Sequence, residues 1–434
     1  MPAGLRPRPG PPTPFFRFYR LVARAAAPLA YARVRRKLTR QGTDAARIPE
    51  RMGHATLPRP DGPLAWFHAA SVGESVSVLA LVSRMLDLRP ELNVLITTGT
   101  GTSAQVLAGR MHPRCRHQFA PLDTAPALRR FLDHWRPEAA IFVESELWPQ
   151  MVADAHATGA RLALLNARMS RTSLRNWGKF PETSRWLLSH FSMIRTQDQA
   201  TAEGLRGLGA DTDRLARGPN LKAMSAPLPV DAAALDAMRA AFAGGPVWLA
   251  ASTHPGEEAE VLTAHLAARQ AHPGLRLVLA PRHPERGEEV ARLVAARGLD
   301  SRRRGAGADP GGAEVYVADT MGEMGLWYAL CPLLFLGATF GRQGGHNIYE
   351  PARAGAVVLH GPHHANFAEA YEEFDARGAA LPVADGAELG RALSNLLSDP
   401  NRRAEIGARA ARLASAQEER LDALARSVIE TLLP

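Results

Sequence analysis

The sequence predicts an α/β protein of two similar halves, each a parallel sheet with helices on both faces. From about residue 64 to 215, short apolar runs alternate with longer stretches of helical spacing, the pattern of repeated strand–helix–strand units. A second alternating set begins near residue 247, beyond a linker at Pro227-Leu228-Pro229. The 434 residues are 46% hydrophobic, and a chain about three times the size of a typical domain has material for two sizeable cores. Two such halves joined by a proline-containing hinge form a cleft, a usual place for ligands.

In chain order, residues 64–67 form a buried strand, small residues with Gly73 force a tight turn, and Val76, Val78, Leu79, Val82, Met85 and Leu86 follow at helical spacing. Residues 92–97 are the next strand, running into Thr97-Thr98-Gly99-Thr100-Gly101-Thr102-Ser103 and a helix. Strands at 139–143, 161–165 and 192–196 complete the first half; the first of these ends in Glu144-Ser145-Glu146-Leu147-Trp148-Pro149 and the second in Asn166-Ala167-Arg168. The second half has strands at 247–251, 276–280, 314–317, 333–336 and 357–360, each followed by a polar or glycine-containing loop, and residues 404–433 have helical composition throughout. There is no internal repeat of solenoid period.

The formal net charge is +9. Residues 1–51 hold twelve Lys and Arg against two acids, a surplus of ten, so the rest of the chain sums to −1. A nucleic-acid-binding groove should lie across the folded body, and the near-neutral body argues against one. The leader interleaves Phe15, Phe16, Phe18, Tyr19, Leu21, Val22, Leu29 and Tyr31 with its arginines. Arg17, Arg20 and Arg24 interrupt any run able to span a bilayer. Such a segment fits an interfacial helix with its rings among headgroups and its arginines on anionic lipid; a solvated tail is the alternative. Two distant cysteines, Cys115 and Cys331, point to a reducing compartment and no disulfide framework.

Glu74 sits where a helix begins at the carboxyl end of a strand, the place where open α/β sheets bind ligands. A carboxylate there can take a proton from a substrate hydroxyl if its environment raises its pKa, or it can simply complement the helix dipole. In the second half, Ser252-Thr253-His254-Pro255-Gly256-Glu257-Glu258 and Pro281-Arg282-His283-Pro284-Glu285-Arg286 both follow strands. Arg282 suits a phosphate or is a solvated surface residue. The run Gly337-Ala338-Thr339-Phe340-Gly341-Arg342-Gln343-Gly344-Gly345-His346-Asn347-Ile348-Tyr349-Glu350-Pro351 is a glycine-rich turn feeding a helix that starts near Asn347, where free amides can meet a phosphate. Glu350, one turn inside, can accept from ribose hydroxyls. The run lacks the Walker lysine and the dinucleotide spacing, and no His, Cys or carboxylate set has zinc spacing, so no metal is expected.

Eight motifs in one order carry a resemblance: His68-Ala69-Ala70-Ser71-Val72-Gly73-Glu74, Glu144-Ser145-Glu146-Leu147-Trp148-Pro149, Asn166-Ala167-Arg168-Met169-Ser170, Asn220-Leu221-Lys222, Ala251-Ser252-Thr253-His254, Pro281-Arg282-His283-Pro284-Glu285-Arg286, Met321-Gly322-Glu323 and Gly344-Gly345-His346-Asn347. From about residue 15 to the C-terminus the chain resembles the 3-deoxy-D-manno-octulosonic acid (Kdo) transferases of lipopolysaccharide synthesis. The resemblance implies a GT-B fold, two Rossmann-like domains facing across an interdomain cleft. Residues 1–51 would be a membrane-associating leader, 52–224 the acceptor domain and 225–434 the CMP-sugar domain, with the last helix able to pack back on the acceptor domain.

The implied reaction is inverting, metal-independent transfer of Kdo from CMP-Kdo to a tetraacylated lipid A precursor at the cytoplasmic face of the inner membrane, with no cofactor. By position, Glu74 matches the family's general base, and Glu144 and Lys222 match residues that stabilise the transition state. Pro281 with Arg282, Met321, Gly322 and Glu323, and Asn347, Ile348, Tyr349 and Glu350 match CMP-contacting segments. Departures from the family pattern are Pro219 between Gly218 and Asn220, extra glycines at residues 97–101, and Ile348-Tyr349 in place of a frequent Pro-Leu. The competing readings are another GT-B protein using a UDP-sugar for transfer or epimerisation, and a non-catalytic scaffold at the membrane surface.

Overall fold

The structure, a computed structural model, describes residues 10–221, 224 and 228–434. The chain forms two compact units, one reaching to Ser225 and joined by Glu419–Pro434, the other Ala226–Glu418. The first unit is built on strands β1 (Leu64–His68), β2 (Asn93–Thr98), β3 (Cys115–Phe119), β4 (Ala139–Val143), β5 (Arg161–Ala167), β6 (Phe191–Thr196) and β7 (Leu215–Arg217). They form one parallel sheet in the order β3-β2-β1-β4-β5-β6-β7. The second unit has β8 (Val247–Thr253), β9 (Arg276–Pro281), β10 (Ser301–Arg303), β11 (Val315–Val317), β12 (Leu333–Leu336), β13 (Val357–His360) and β14 (Ala380–Pro382). Their order is β10-β11-β9-β8-β12-β13-β14, again all parallel.

Helices cover both faces of a parallel sheet, so its central strands are buried on both sides and read as continuous apolar runs. Every residue of β1 and β4 is buried. Alternate side chains along β1 enter opposite layers. Trp66 joins Phe131, Trp135 and Phe142 on one face, and Phe67 joins Leu81, Met85 and Ile141 on the other. The buried Trp66 indole donates to Thr97 Oγ1 at 2.8 Å, which satisfies its one polar atom.

The strands foreseen in the sequence are present, three with the same bounds and the others with ends shifted by one or two residues. Four were not foreseen, β3, β7, β10 and β14, and all four are sheet edges. An edge strand has a neighbour on one side only and is kept short or polar; β7 and β10 are three residues each. Pro227 of the foreseen linker lies outside the described residues; Leu228 and Pro229 pack on Gly325, where a Cβ would meet Pro229 O at 2.4 Å. The helix Pro400–Leu432 spans the foreseen C-terminal stretch. Its Ile406 lies in the second unit's core, and Leu424, Val428 and Leu432 lie in the first unit's.

The leader forms helix α1 (Pro14–Arg40), capped by the Thr13 hydroxyl accepting from Phe16 N at 3.3 Å. Although its charge reads as an appendage in the sequence, its ends are built into the first unit. Phe16 and Leu38 are buried, and Phe16 packs 4.6 Å from Trp186. Phe18, Leu21, Val22 and Leu29 remain exposed. A 3-10 turn, Ala45–Met52, follows. Its fully buried Glu50 accepts from Arg47, from the Thr56 hydroxyl and from Phe119 N, satisfying the charge where it is desolvated. Among the described residues no helix is long and apolar enough to cross a membrane.

Candidate functional site

In the first unit the chain leaves β1 and β4 in opposite directions along the sheet order, a topological switch point, and ligands bind at the carboxyl ends of strands there. Glu74 lies in the first turn of helix α2 (Val72–Ser77), after β1. Its amide donates to the Ser71 hydroxyl at 3.3 Å, while its carboxylate accepts from Ser71 Oγ at 2.7 Å and from Ala70 N at 2.8 Å. This reciprocal pattern is close to a capping box, so Glu74 helps to cap the start of the helix and presents a fixed carboxylate at once. Burial raises its pKa; the Ser71 bond opposes that, and the negative charges of Glu146 and Glu144 add to the rise.

Glu144 and Glu146 come from the loop after β4. Glu144 has φ 58°, an unusual conformation for a residue with a side chain, with its amide donating to Leu165 O at 3.0 Å. Backbone strain of this kind concentrates at functional sites. Glu146 lies 3.3 Å from Nε2 of the buried His68 and accepts from the Trp148 indole. Burial alone would raise its carboxyl, but contact with His68 and the Trp148 bond bring it below the usual range. Glu146 therefore stays anionic and helps to keep Glu74 basic. The sequence motifs contained His68 and Glu146 without assigning them a role; the signal was a second acid two residues after Glu144.

Asn166, at the end of β5, has φ 55° and accepts from Leu221 N at 3.1 Å. Lys222, the next residue, lies outside the described residues. Replacing Asn166 with Ala removes a buried acceptor and places an ordinary side chain in the left-handed region, which together cost about 2–4 kcal/mol. The expected result is a fall of several degrees in the thermal midpoint, with Asn166→Gly losing less because glycine adopts this φ freely. Equal midpoints for Ala and Gly would show that backbone strain is not at work there.

In the second unit the loops after β11, β9, β8 and β12 gather at the carboxyl edge of adjacent strands. Pro281 ends β9 and is buried; the exposed Arg282 follows, its amide donating to Thr253 O at 2.9 Å. His254 and His346 meet Nε2 to Nε2 at 3.3 Å with rings nearly parallel, and His283 approaches His254 edge-on. Burial first, then the charge of Arg282, lowers His346 to about 4; burial also lowers His254. The pair is neutral near pH 7, one ring donating to the other. Among the described residues no group of three or more His, Cys, Asp or Glu side chains could hold a metal ion.

The glycine-rich turn is organised by Glu257, a buried carboxylate at the start of helix Glu257–Ala271. It accepts from Ala338 N at 2.8 Å, Thr339 N at 2.9 Å, Phe340 N at 3.0 Å and His254 N at 2.9 Å. One anion thus ties the loop after β8 to the loop after β12. At Gly337 a Cβ would meet Ser252 O at 2.5 Å, so that close approach requires glycine. The following helix begins at Tyr349, with Asn347 Oδ1 accepting from Tyr349 N at 3.1 Å. Glu350 is the second residue of that helix rather than one turn inside. The Ile348 and Tyr349 side chains are buried.

Met321 is exposed and Gly322 has φ 84°. The Glu323 carboxylate accepts from Arg304 at 2.7 and 3.2 Å and from the Thr320 hydroxyl. The Arg304 bond holds its pKa below the usual range. Arg304, nineteen residues upstream, carried no signal in the sequence.

Comparison with known proteins agrees with this architecture. Residues 46–225 match the profile described as 3-deoxy-D-manno-octulosonic-acid transferase (kdotransferase). A 3-deoxy-D-manno-octulosonic acid transferase of Bordetella pertussis is 36% identical over 428 residues, covering 94% of this chain and 98% of its own length. A probable mitochondrial 3-deoxy-D-manno-octulosonic acid transferase of Arabidopsis thaliana is 33% identical over 398 residues, covering 89% of this chain and 88% of its own. Among solved structures, the UDP-GlcNAc 2-epimerase of Neisseria meningitidis bound to UDP-GlcNAc superposes with a TM-score of 0.55 at 13% identity, over 86% of this chain and 99% of that one. That likeness is one of fold.

Two Rossmann-like α/β units in one chain, with carboxylates at the strand ends of the first, make this a GT-B protein of the glycosyltransferase class. The identity over nearly the whole chain places it more narrowly: it belongs to the 3-deoxy-D-manno-octulosonic acid transferase family and is a Kdo transferase.

Proposed function

We propose that the protein transfers Kdo from CMP-Kdo to a tetraacylated lipid A precursor, with Glu74 as general base. The observation that carries this reading is the fixed Glu74 carboxylate at the carboxyl end of β1, its pKa raised by burial and by Glu146 and Glu144, in a chain of this family. Such a group accepts the acceptor hydroxyl's proton as the oxygen attacks the anomeric carbon. The bond from that carbon to the phosphate oxygen breaks, CMP leaves with the electron pair, and the configuration inverts. The transition state is oxocarbenium-like, so the Glu144 carboxylate can stabilise positive charge on the sugar.

Residues 52–224 hold the acceptor and residues 225–434 the CMP-sugar in this reading. Pro281 and Arg282, the segment Met321, Gly322 and Glu323, and the segment Asn347, Ile348, Tyr349 and Glu350 contact CMP, while Lys222 and Arg282 offset charge on the departing phosphate. No cofactor or metal takes part. Helix α1, with exposed Phe18, Leu21, Val22 and Leu29 among basic residues, rests on anionic lipid at the cytoplasmic face of the inner membrane. The test is transfer from enzymatically generated CMP-Kdo to the tetraacylated precursor, with products resolved by mass and a chelator added in parallel. Product of one or more Kdo increments, unchanged by chelator, is expected. A folded protein that binds CMP but forms no product would remove the acceptor assignment, and a preference for UDP over CMP would return the UDP-sugar reading.

A further inference from the structure

Helix α1 is tied to the loop that carries Glu144 and Glu146. That loop ends at Trp148, and the helix Pro149–Ala157 begins directly after it. Trp148 provides no side-chain cap for this helix. The free amides of its first turn are instead met by Asp123, from a different loop: Oδ1 accepts from Met151 N at 2.6 Å and Oδ2 from Gln150 N at 3.2 Å. Uncapped amides at a helix start need such a partner. The same Oδ2 accepts from Tyr19 Oη at 2.6 Å, and Tyr19 belongs to α1. The neighbouring turns of α1 are held by Phe16 against Trp186 at 4.6 Å, by Phe15 stacked on Phe180 at 3.7 Å, and by Thr13 Oγ1 bonded to Thr183 Oγ1 at 2.7 Å. At its other end, Gln41 Oε1 accepts from Gly101 N at 2.8 Å, and Gly99 N donates to Ala70 O at 3.0 Å beside the Glu74 turn.

We propose that Tyr19 and Asp123 are positioning residues for glycosyl transfer: through the first turn of helix Pro149–Ala157 they fix the loop bearing Glu144 and Glu146, so that α1 is part of the catalytic unit as well as its membrane contact. The path is continuous. Tyr19 orients the Asp123 carboxylate, Asp123 fixes the amides of Gln150 and Met151, and the chain two residues earlier presents Trp148, whose indole donates to Glu146. Glu146 in turn contacts His68 and acts on Glu74. The helix that carries the exposed apolar side chains thereby also sets the geometry of the acidic loop, and small misplacement of such a group costs rate steeply.

This inference rests on the function proposed above, and one experiment separates the two. Full-length wild type, Tyr19→Phe, Asp123→Asn and Asp123→Ala are assayed with detergent-dispersed acceptor, so that membrane docking is not required. Binding to vesicles of phosphatidylethanolamine and phosphatidylglycerol and the thermal midpoint are measured on the same samples. Tyr19→Phe removes one hydroxyl, and the expected result is a fall in kcat of about tenfold, with the KM for CMP-Kdo and vesicle binding unchanged and the thermal midpoint lowered by only a few degrees. Asp123→Asn, which keeps a carbonyl oxygen to accept from the helix amides, should recover part of the kcat lost in Asp123→Ala. No product from the wild type would sink the proposed function itself. Wild-type transfer with equal kcat in Tyr19→Phe would overturn the positioning role. So would loss of vesicle binding with kcat in detergent retained, or a loss of activity that only tracks the folded fraction.

Discussion

Glu74→Gln is expected to lower kcat by roughly a thousandfold while leaving CMP binding intact, since a positioned general base contributes about 10²–10⁴ in rate. Gln keeps the size of the side chain and can still accept from Ala70 N or Ser71, so the α2 turn should survive. The base works only when ionised, and burial together with Glu146 and Glu144 raises its pKa. The acid limb of kcat/KM should therefore lie above the ordinary glutamate range, and Glu146→Gln should move it back toward that range by removing a fixed negative charge.

Stability moves the other way. The folded state raises this pKa above the unfolded value of about 4.3, so it favours the protonated form. Glu74's stabilising contribution is full below the unfolded pKa and is lost as pH rises through the folded one. At neutral pH the native state holds a carboxylate it disfavours, and Glu74→Gln should be at least as thermally stable as wild type there, with the difference shrinking under acid. A loss of rate at undiminished stability cannot come from misfolding. Equal rates in both proteins would place the base elsewhere.

Glu257→Ala should be the most damaging change in the second unit. It removes the shared partner of four backbone amides, on His254, Ala338, Thr339 and Phe340. An unsatisfied buried donor costs about 1–3 kcal/mol, and some of the four will recruit water, so a loss on the order of 5 kcal/mol is expected. In urea the second unit should unfold at markedly lower denaturant, and CMP titration should show affinity reduced by about two orders of magnitude, each factor of ten being about 1.4 kcal/mol. Glu257→Gln has one oxygen for four donors and turns its NH₂ toward the others, so it should fall between. An Ala variant with wild-type CMP affinity would show that these loops hold their geometry without the carboxylate.

The legible parts of this protein are those with a local cause. Strands with neighbours on both sides are buried on both faces, and β1, β4, β12 and β13 announce themselves as apolar runs. The edges do not: β3 reads Cys115-Arg116-His117-Gln118-Phe119 and β10 reads Ser301-Arg302-Arg303, sequences whose strand character comes from the partner they pair with. The start of α2 was legible from the small residues and Gly73 that turn the chain after β1, with Glu74 where the helix begins; its Ser71 cap came only from the structure. Glu257 stood in a quoted motif, yet its work could not be read, because three of its four amide partners lie more than eighty residues later. Arg304 and its pairing to Glu323 were illegible for the same reason.

By itself the sequence determined the α/β class, the order of the interior strands and their loops, the family and the positions of Glu74, Glu144 and Arg282, because periodicity and short motifs are properties of neighbouring residues. Only the tertiary structure decided that His68 contacts Glu146 and Glu146 acts on Glu74, that Glu257 ties two loops with one carboxylate, and that a leader reading as a charged appendage is bonded through Tyr19 and Asp123 to the helix start that follows the acidic loop. The energy of a charge depends on how far its partners are and how much water is excluded around it, and both are set by contacts between residues far apart in the chain.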